Sequence, residues 1–208
     1  KEIQKYFSQS LAFTDDSIRI IDSMPIPVCK FARAYFSKCF KDIASYGYCA
    51  SKKETYFGLK LHALVTVDGF ISDFFLTSAN VDDRSAVFEL VENKTSIKVI
   101  ADKGYIDENL KYQLENEKDI LLISLKRKNS KNPLEKQLRN VLSKTRRRVE
   151  TSFSQLAEQF NINKVLAKSK WGLMLRITLK ILAHNILFIV NNMLGNINVA
   201  QIKQLLFG

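Results

Sequence analysis

The stretch Tyr56–Val67, YFGLKLHALVTV, alternates along its whole length, with Leu59, Leu61, Ala63, Val65 and Val67 on one face. That is the period of a strand with one face against a core. Asp68-Gly69 follows as a hairpin signal, and Phe70–Leu76 returns as the next strand. A hairpin with one strongly apolar face needs further layers over it, and the rest of the chain offers them in alternation. Ser17–Met24, SIRIIDSM, reads as a first strand stopped by Pro25 and Pro27. Val28–Lys53 is basic and aromatic without a clear period, and is expected to form an insertion over about 28–55.

Beyond the hairpin, Asp82 and Asp83 suit the first turn of a helix over Arg84–Glu92, as cap and dipole partners. Ile97–Ala101 is a fourth strand, Glu108–Glu117 a short helix and Ile120–Leu125 a fifth strand. Leu138, Leu142, Val149, Phe153, Leu156 and Phe160 make one stripe on a long helix, Glu135–Gln159. Three hairpin-compatible strands, then helix, strand, helix, strand, helix, is the order of a ribonuclease-H-like fold. The expectation is an α/β domain spanning 1–208, with a mixed five-stranded sheet flanked by helices. The first residue is Lys1 rather than Met, so an N-terminal region of the full-length protein is expected to be missing.

Charge narrows the partner. Thirty-two Lys+Arg against 21 Asp+Glu give +11, which favours a polyanion, nucleic acid first and an anionic membrane surface second. Lys126 to Arg148 holds ten basic residues and one acidic, Glu135, and is a candidate for binding phosphate, with Lys126, Arg127 and Lys128 at its head. Three cysteines, Cys29, Cys39 and Cys49, with no secretory signal, point to a reducing cytoplasm. They lack the close pairs of a structural zinc site, so zinc with His62 as fourth ligand is not favoured. The apolar Gly172–Leu194 carries Arg176, Lys180 and His184 at every fourth position, the mark of an amphipathic core helix rather than a membrane span. His184 is then a satisfied residue beside that stripe, and no membrane partner is expected.

Three acids stand out. Asp22 lies inside a strand between Ile21 and Ser23, where a charge is costly unless paired or on a metal. Asp102 closes the fourth strand in IKVIADKGY; on its own it reads as a helix cap. Glu150 neighbours Val149 at the edge of the buried helix stripe, and on its own reads as the (i, i+4) partner of Arg146. In the expected fold, strands one and four are neighbours under the long helix, so the three carboxylates meet. Phosphodiester cleavage needs an activated water or hydroxyl and stabilised charge on the phosphorus and the leaving oxygen. Two Mg²⁺ ions about 3.5–4 Å apart supply all three. Mg²⁺, or Mn²⁺ in its place, takes carboxylate oxygens and waters, for which three acids leave room. Neither His62 nor His184 belongs to a serine or cysteine nucleophile motif.

IIDSMPIPVCKFARA, SKKETYFGLKLHALVT, SANVDDR, ADKGY and RRRVETSFSQL occur in that order, and together they resemble the catalytic domain of bacterial DDE insertion-sequence transposases, the insertion sequence 982 family in particular. The resemblance runs from about Asp22 to Asn192. It implies a ribonuclease-H-like fold and divalent-metal cleavage and strand transfer at DNA ends. Asp22, Asp102 and Glu150 fall on the catalytic, metal-holding triad. It also implies DNA partners (inverted-repeat ends and target), a homo-oligomer on DNA and a bacterial, nucleoid-associated location. Related transposases often carry tyrosine, arginine, glutamate and lysine around the glutamate. The spacing here gives Ser143, Arg146, Glu150 and Ala157, so no end-binding lysine is assigned on that helix. A nuclease without strand transfer and an inactive DNA-binding fragment are the competing readings.

Around the triad, Lys60 and His62 are candidates to contact DNA phosphate or brace Asp22, the alternative being an ordinary exposed sheet face. Lys103 and Tyr105 are candidates to hold scissile-strand phosphate, with Gly104 permitting close approach. Arg146 and Arg147 are candidates to bind DNA or neutralise Glu150. The aromatic and basic residues of 28–56 allow either base stacking or a small packed subdomain.

Overall fold

The computed structural model describes residues 17–125, 135–196 and 198–207; Lys126, Arg127 and Lys128 lie outside them. Six strands form one mixed sheet: β1 Ile18–Pro27, β2 Ser45–Cys49, β3 Glu54–Thr66, β4 Ile71–Ser78, β5 Lys98–Ala101 and β6 Leu121–Ser124. The path is β2-β3-β1-β5-β6, with β4 also on β3. β1 is antiparallel to β3 and parallel to β5, which is parallel to β6. Thirteen residues long, β3 pairs β2 with its Glu54–Gly58 half and β4 with the rest, while β1 takes its other edge. Without β2 the order is β4-β3-β1-β5-β6, the ribonuclease-H-like arrangement expected from the sequence.

Two expectations need correction. The sheet has six strands rather than five, because β2 (SYGYC) lies inside the basic aromatic insertion. As an edge strand it leaves Tyr46 and Tyr48 exposed, so it shows no apolar alternation. β1 also runs through Pro25 and Pro27 instead of stopping before them. Its pairing with β5 ends at Ile21↔Ala101, whereas pairing with β3 continues to Pro27↔Gly58. The Val28 amide donates to Phe57 O at 3.1 Å, so alternate residues 24 and 26 face β3 while Pro25 and Pro27 face the side where β5 has ended. No ladder donor is lost there, which is where a strand tolerates proline.

Among the described residues there are five α-helices, α1 Val87–Leu90, α2 Glu108–Lys118, α3 Lys136–Glu158, α4 Lys170–Met193 and α5 Lys203–Phe207, of which the first four pack over the sheet. One face of the sheet, with Ile20, Met24, Ile26, Leu59, Leu61 and Ala63, packs under Val149, Phe153 and Leu156 of α3 and Leu173, Ile177 and Ile181 of α4. The other face, with Ile21, Leu64, Val99 and Ala101, packs on α1 and α2 through Val87, Leu90, Leu110 and Leu114. The β3–β4 turn is tied down by α3: Ser152 Oγ donates to Gly69 O at 2.8 Å. Gly69 has φ +107°, and a Cβ there would meet Phe188 and Ser152 within 3.2 Å.

The polar residues of α4 satisfy its surroundings. Arg176 donates to Val165 O and Leu166 O, both at 2.7 Å, and Lys180 Nζ donates to Phe160 O. His184 is fully buried, its Nε2 3.0 Å from Gln155 Oε1, while Gln155 Nε2 donates to Ala200 O. Beside it Asn185 grips both backbone groups of Ile71. The carbonyls of the segment after α3 and the edge of β4 thus find donors on one helix.

Candidate active site

Alternation along β1 puts Ile20, Asp22 and Met24 on the face that carries α3, with Ile21 and Ser23 on the other. On β5, Ile100 packs with Leu142 of α3, and Asp102 follows on the same face. Ile21↔Ala101 is the last parallel pair, so Asp22 and Asp102 stand side by side one step beyond it. Asp102 precedes a short 3-10 turn, Lys103–Tyr105, but its side chain makes no capping bond; Asp107 caps α2 instead, accepting from the Asn109 and Leu110 amides. The helix-cap reading of Asp102 therefore fails.

Glu150 comes across from α3 through an arginine. Arg146 Nη1 donates to Asp22 Oδ2 at 3.1 Å, and its Nη2 donates to Glu150 Oε1. Asp22 and Arg146 side chains are about four-fifths buried, whereas that of Glu150 is 49% exposed. Asp22 Oδ1 accepts from the Ser23 amide at 2.8 Å. Burial raises the Asp22 carboxyl to about 6; the Ser23 amide and Arg146 pull it down, and Asp102 and Asp83 push it up. Asp22 thus carries an incompletely offset negative charge.

The donor chemistry fits a hard cation: carboxylate oxygens on one face, a desolvated aspartate seeking positive charge, and a guanidinium already between Asp22 and Glu150. Spacing is the difference. Among the described residues no group of three His, Cys, Asp or Glu side chains is close enough to hold a metal ion. Arg146 links Glu150 to Asp22, and strand register links Asp102 to Asp22.

Behind β1 lies a second acidic centre absent from the sequence-based expectation. Asp82 caps its turn, accepting from the Arg84 amide at 2.9 Å, and holds the Arg84 side chain. Asp83 instead turns inward, accepting from Ser23 Oγ at 3.2 Å and pairing with Lys60 Nζ at 2.9 Å. The one available signal was the doubled aspartate in VDDR, since a turn of this kind needs one cap and leaves the second acid free for another task.

Lys60 and His62 therefore face Asp83, across β1 from Asp22, and are not an exposed sheet face. Lys60 also donates to Val81 O at 2.8 Å. His62 is fully buried, with Nε2 2.8 Å from Thr77 Oγ1. Thr77 Oγ1 also reaches Ser78 O at 3.1 Å, and His62 Nδ1 lies 3.8 Å from Asp83. Burial lowers the His62 pKa to about 4, more than the pull of Asp83 raises it. Its neutral, enclosed ring contacts neither Asp22 nor a surface phosphate.

Tyr105 is also inward. It is 1% exposed, its hydroxyl has no hydrogen-bond partner, and burial with Asp83, Asp22 and Asp102 nearby holds its pKa well above 10. It borders the acids from within the core and is not placed to hold a phosphate at the surface. Lys103 and Arg147 are exposed, while a Cβ on Gly104 would meet open space, so packing does not require glycine there. Cys29, Cys39 and Cys49 are free thiols.

Comparison with known proteins bears on the same residues. A family model described as transposase DDE domain matches residues 13–170, a span that includes Asp22, Asp83, Asp102 and Glu150. The cryo-EM structure of the piggyBac transposase synaptic complex with hairpin DNA is similar over 90% of this chain at 10% identity, with a TM-score of 0.49. This chain spans about half of that one, 51%. No curated protein matches the sequence.

Proposed function

The chain belongs to the transposase DDE domain family, and from that premise we propose that it cuts insertion-sequence ends and joins them to target DNA. Domains of this family generally use divalent metals. We assign Mg²⁺ here, replaceable by Mn²⁺, with Asp22, Asp102 and Glu150 as its protein ligands. The observation that carries the reading is the placement of Asp22 beside Asp102 on the α3 face, with Glu150 joined to Asp22 through Arg146. When bound, Mg²⁺ supplies charge to the attacking and leaving oxygens of an in-line phosphodiester displacement.

The chain's own residues prepare that chemistry. The Ser23 amide fixes Asp22 Oδ1 and leaves Oδ2 turned toward α3. Asp22 acts ionised, a form that burial disfavours in the metal-free protein and that a bound cation would favour. Asp102, free of capping duty, presents its carboxylate at the strand end. Arg146 balances the acids, and its grip on Glu150 and Asp22 must loosen for all three to share one cation. Exposed Lys103 and Arg147 are assigned to DNA phosphates, together with Lys126, Arg127 and Lys128. The finer reading extends to a bacterial insertion sequence of the 982 kind, acting as a homo-oligomer on DNA in the cytoplasm.

The test is an assay with labelled inverted-repeat ends, target DNA and Mg²⁺, on the chain and on Asp22→Asn, Asp102→Asn and Glu150→Gln. Joined product that disappears in all three variants, with DNA retention kept, is the expected result. Nicking without joining assigns a nuclease; retention with neither product assigns a DNA-binding fragment. Turnover near that of the unmodified chain in any variant removes that residue from the triad.

A further inference from the structure

The outer face of α4 is apolar from end to end. Trp171, Leu175, Leu179, Ile186 and Met193 are 75%, 38%, 51%, 39% and 77% exposed, with Leu182 and Val190 half-buried between them. At 100° per residue all seven fall within about a quarter to a third of the helix circumference. Leu173, Ile177, Ile181 and Phe188 hold the core on the opposite side. The stripe contains no charge. The cations of the helix, Lys170, Arg176 and Lys180, are engaged with Asp42 and with carbonyls of this chain. Such a stripe exposes roughly 600 Å² of apolar surface, at the upper end of what a monomer leaves in water.

We infer that this face is a self-association surface, on which a second copy of the chain packs its own α4 antiparallel across a two-fold axis at Leu182. Three observations select that occupant. The stripe matches itself when reversed: Trp171 meets Met193, Leu175 meets Val190, Leu179 meets Ile186 and Leu182 meets its own copy. A helix of 24 residues is about 36 Å long, and two copies bury about 1,200 Å², above the roughly 1,000 Å² a specific interface requires. The three cations of the helix are held off the stripe by Asp42 and by carbonyls of the same chain, so the direction is set by the helix dipoles, which oppose one another only in an antiparallel pair. An isologous pairing of this kind closes as a dimer. It does not depend on the catalytic reading.

The test uses the whole chain without DNA. Sedimentation over a concentration series should show a monomer–dimer equilibrium, and Leu179→Glu and Ile186→Glu, both on the exposed face, should each shift it at least tenfold toward monomer with unchanged circular dichroism. In a background with Cys29, Cys39 and Cys49 replaced by serine, Leu182→Cys should form a disulfide-linked dimer. Trp171→Cys should do so only when combined with Met193→Cys. This arm decides the matter even if the glutamate variants misfold. A monomer at every concentration, dimers indifferent to both glutamates, or cross-linking of Trp171→Cys alone overturns the inference. So does recovery of the chain on lipid vesicles with the stripe protected there, since α4 is also long and apolar enough to cross a bilayer.

Discussion

Replacing Asp22 by asparagine should make the metal-free protein more stable while removing its activity. Folding raises this carboxyl from 3.8 to about 6, chiefly by burial. An acid whose folded pKa is raised binds its proton more readily in the native state. Its ionisation therefore costs stability above pH 6, and the cost disappears as pH falls through 6 toward 3.8. A shift of this size is worth about 3 kcal/mol. Asparagine still offers one acceptor but not two, and must leave either the Ser23 amide or Arg146 short of a partner, at about 1 kcal/mol. The net gain is about 2 kcal/mol at pH 7.5, or roughly 4–8 °C in Tm for a chain of this length. Urea denaturation in EDTA at pH 4, 5, 6, 7 and 8 measures it. The two proteins should converge near pH 4 and separate as pH rises. Equal stability at pH 7.5, or a gap that does not change with pH, would show that Asp22 carries no desolvation cost and would undo the electrostatic account of the site.

Three other outcomes are expected. Asp83→Asn should destabilise the fold by about 1–3 kcal/mol in urea melts, because Lys60 is left partly buried without its anion. His184, lowered to about 4 by burial, contributes stability that is complete above pH 6.5 and is lost as pH falls toward 4. His184→Gln should flatten the pH dependence of unfolding over that interval, with the urea midpoint as readout. Neutralising Lys126, Arg127 and Lys128 together should reduce the slope of log affinity for DNA against log salt by up to about three; an unchanged slope places the DNA elsewhere.

What the sequence disclosed followed from periodicity. The alternation of Tyr56–Val67, the Asp68-Gly69 turn and the long stripe of α3 are local patterns, and each matches an element in the structure. The β1–β5 adjacency followed from strand order, and with it the pairing of Asp22 with Asp102. Elements and contacts set by tertiary neighbours were not legible. β2 exists because the N-terminal half of β3 has an open edge, not because SYGYC alternates. Lys60 and His62 lie on the face expected of them, but whether that face meets water or Asp83 depends on a turn some twenty residues further along the chain. Arg146 was visible as the helical neighbour of Glu150; its second bond, to Asp22, joins residues distant in sequence.

The two prolines of β1 have a consequence for solubility. Among the described residues no strand other than β3 pairs with the far half of β1 once β5 has ended, and such an edge invites strands of other molecules to add to the sheet. At Pro25 and Pro27 it has carbonyls but no amide hydrogens, so an intruding strand finds half of each hydrogen-bond ladder missing. The opening beside Asp22 is thereby a poor template for intermolecular β-structure. Pro25→Val with Pro27→Val would restore the missing donors beside buried Ile26, and with them a route to aggregation that the native chain lacks.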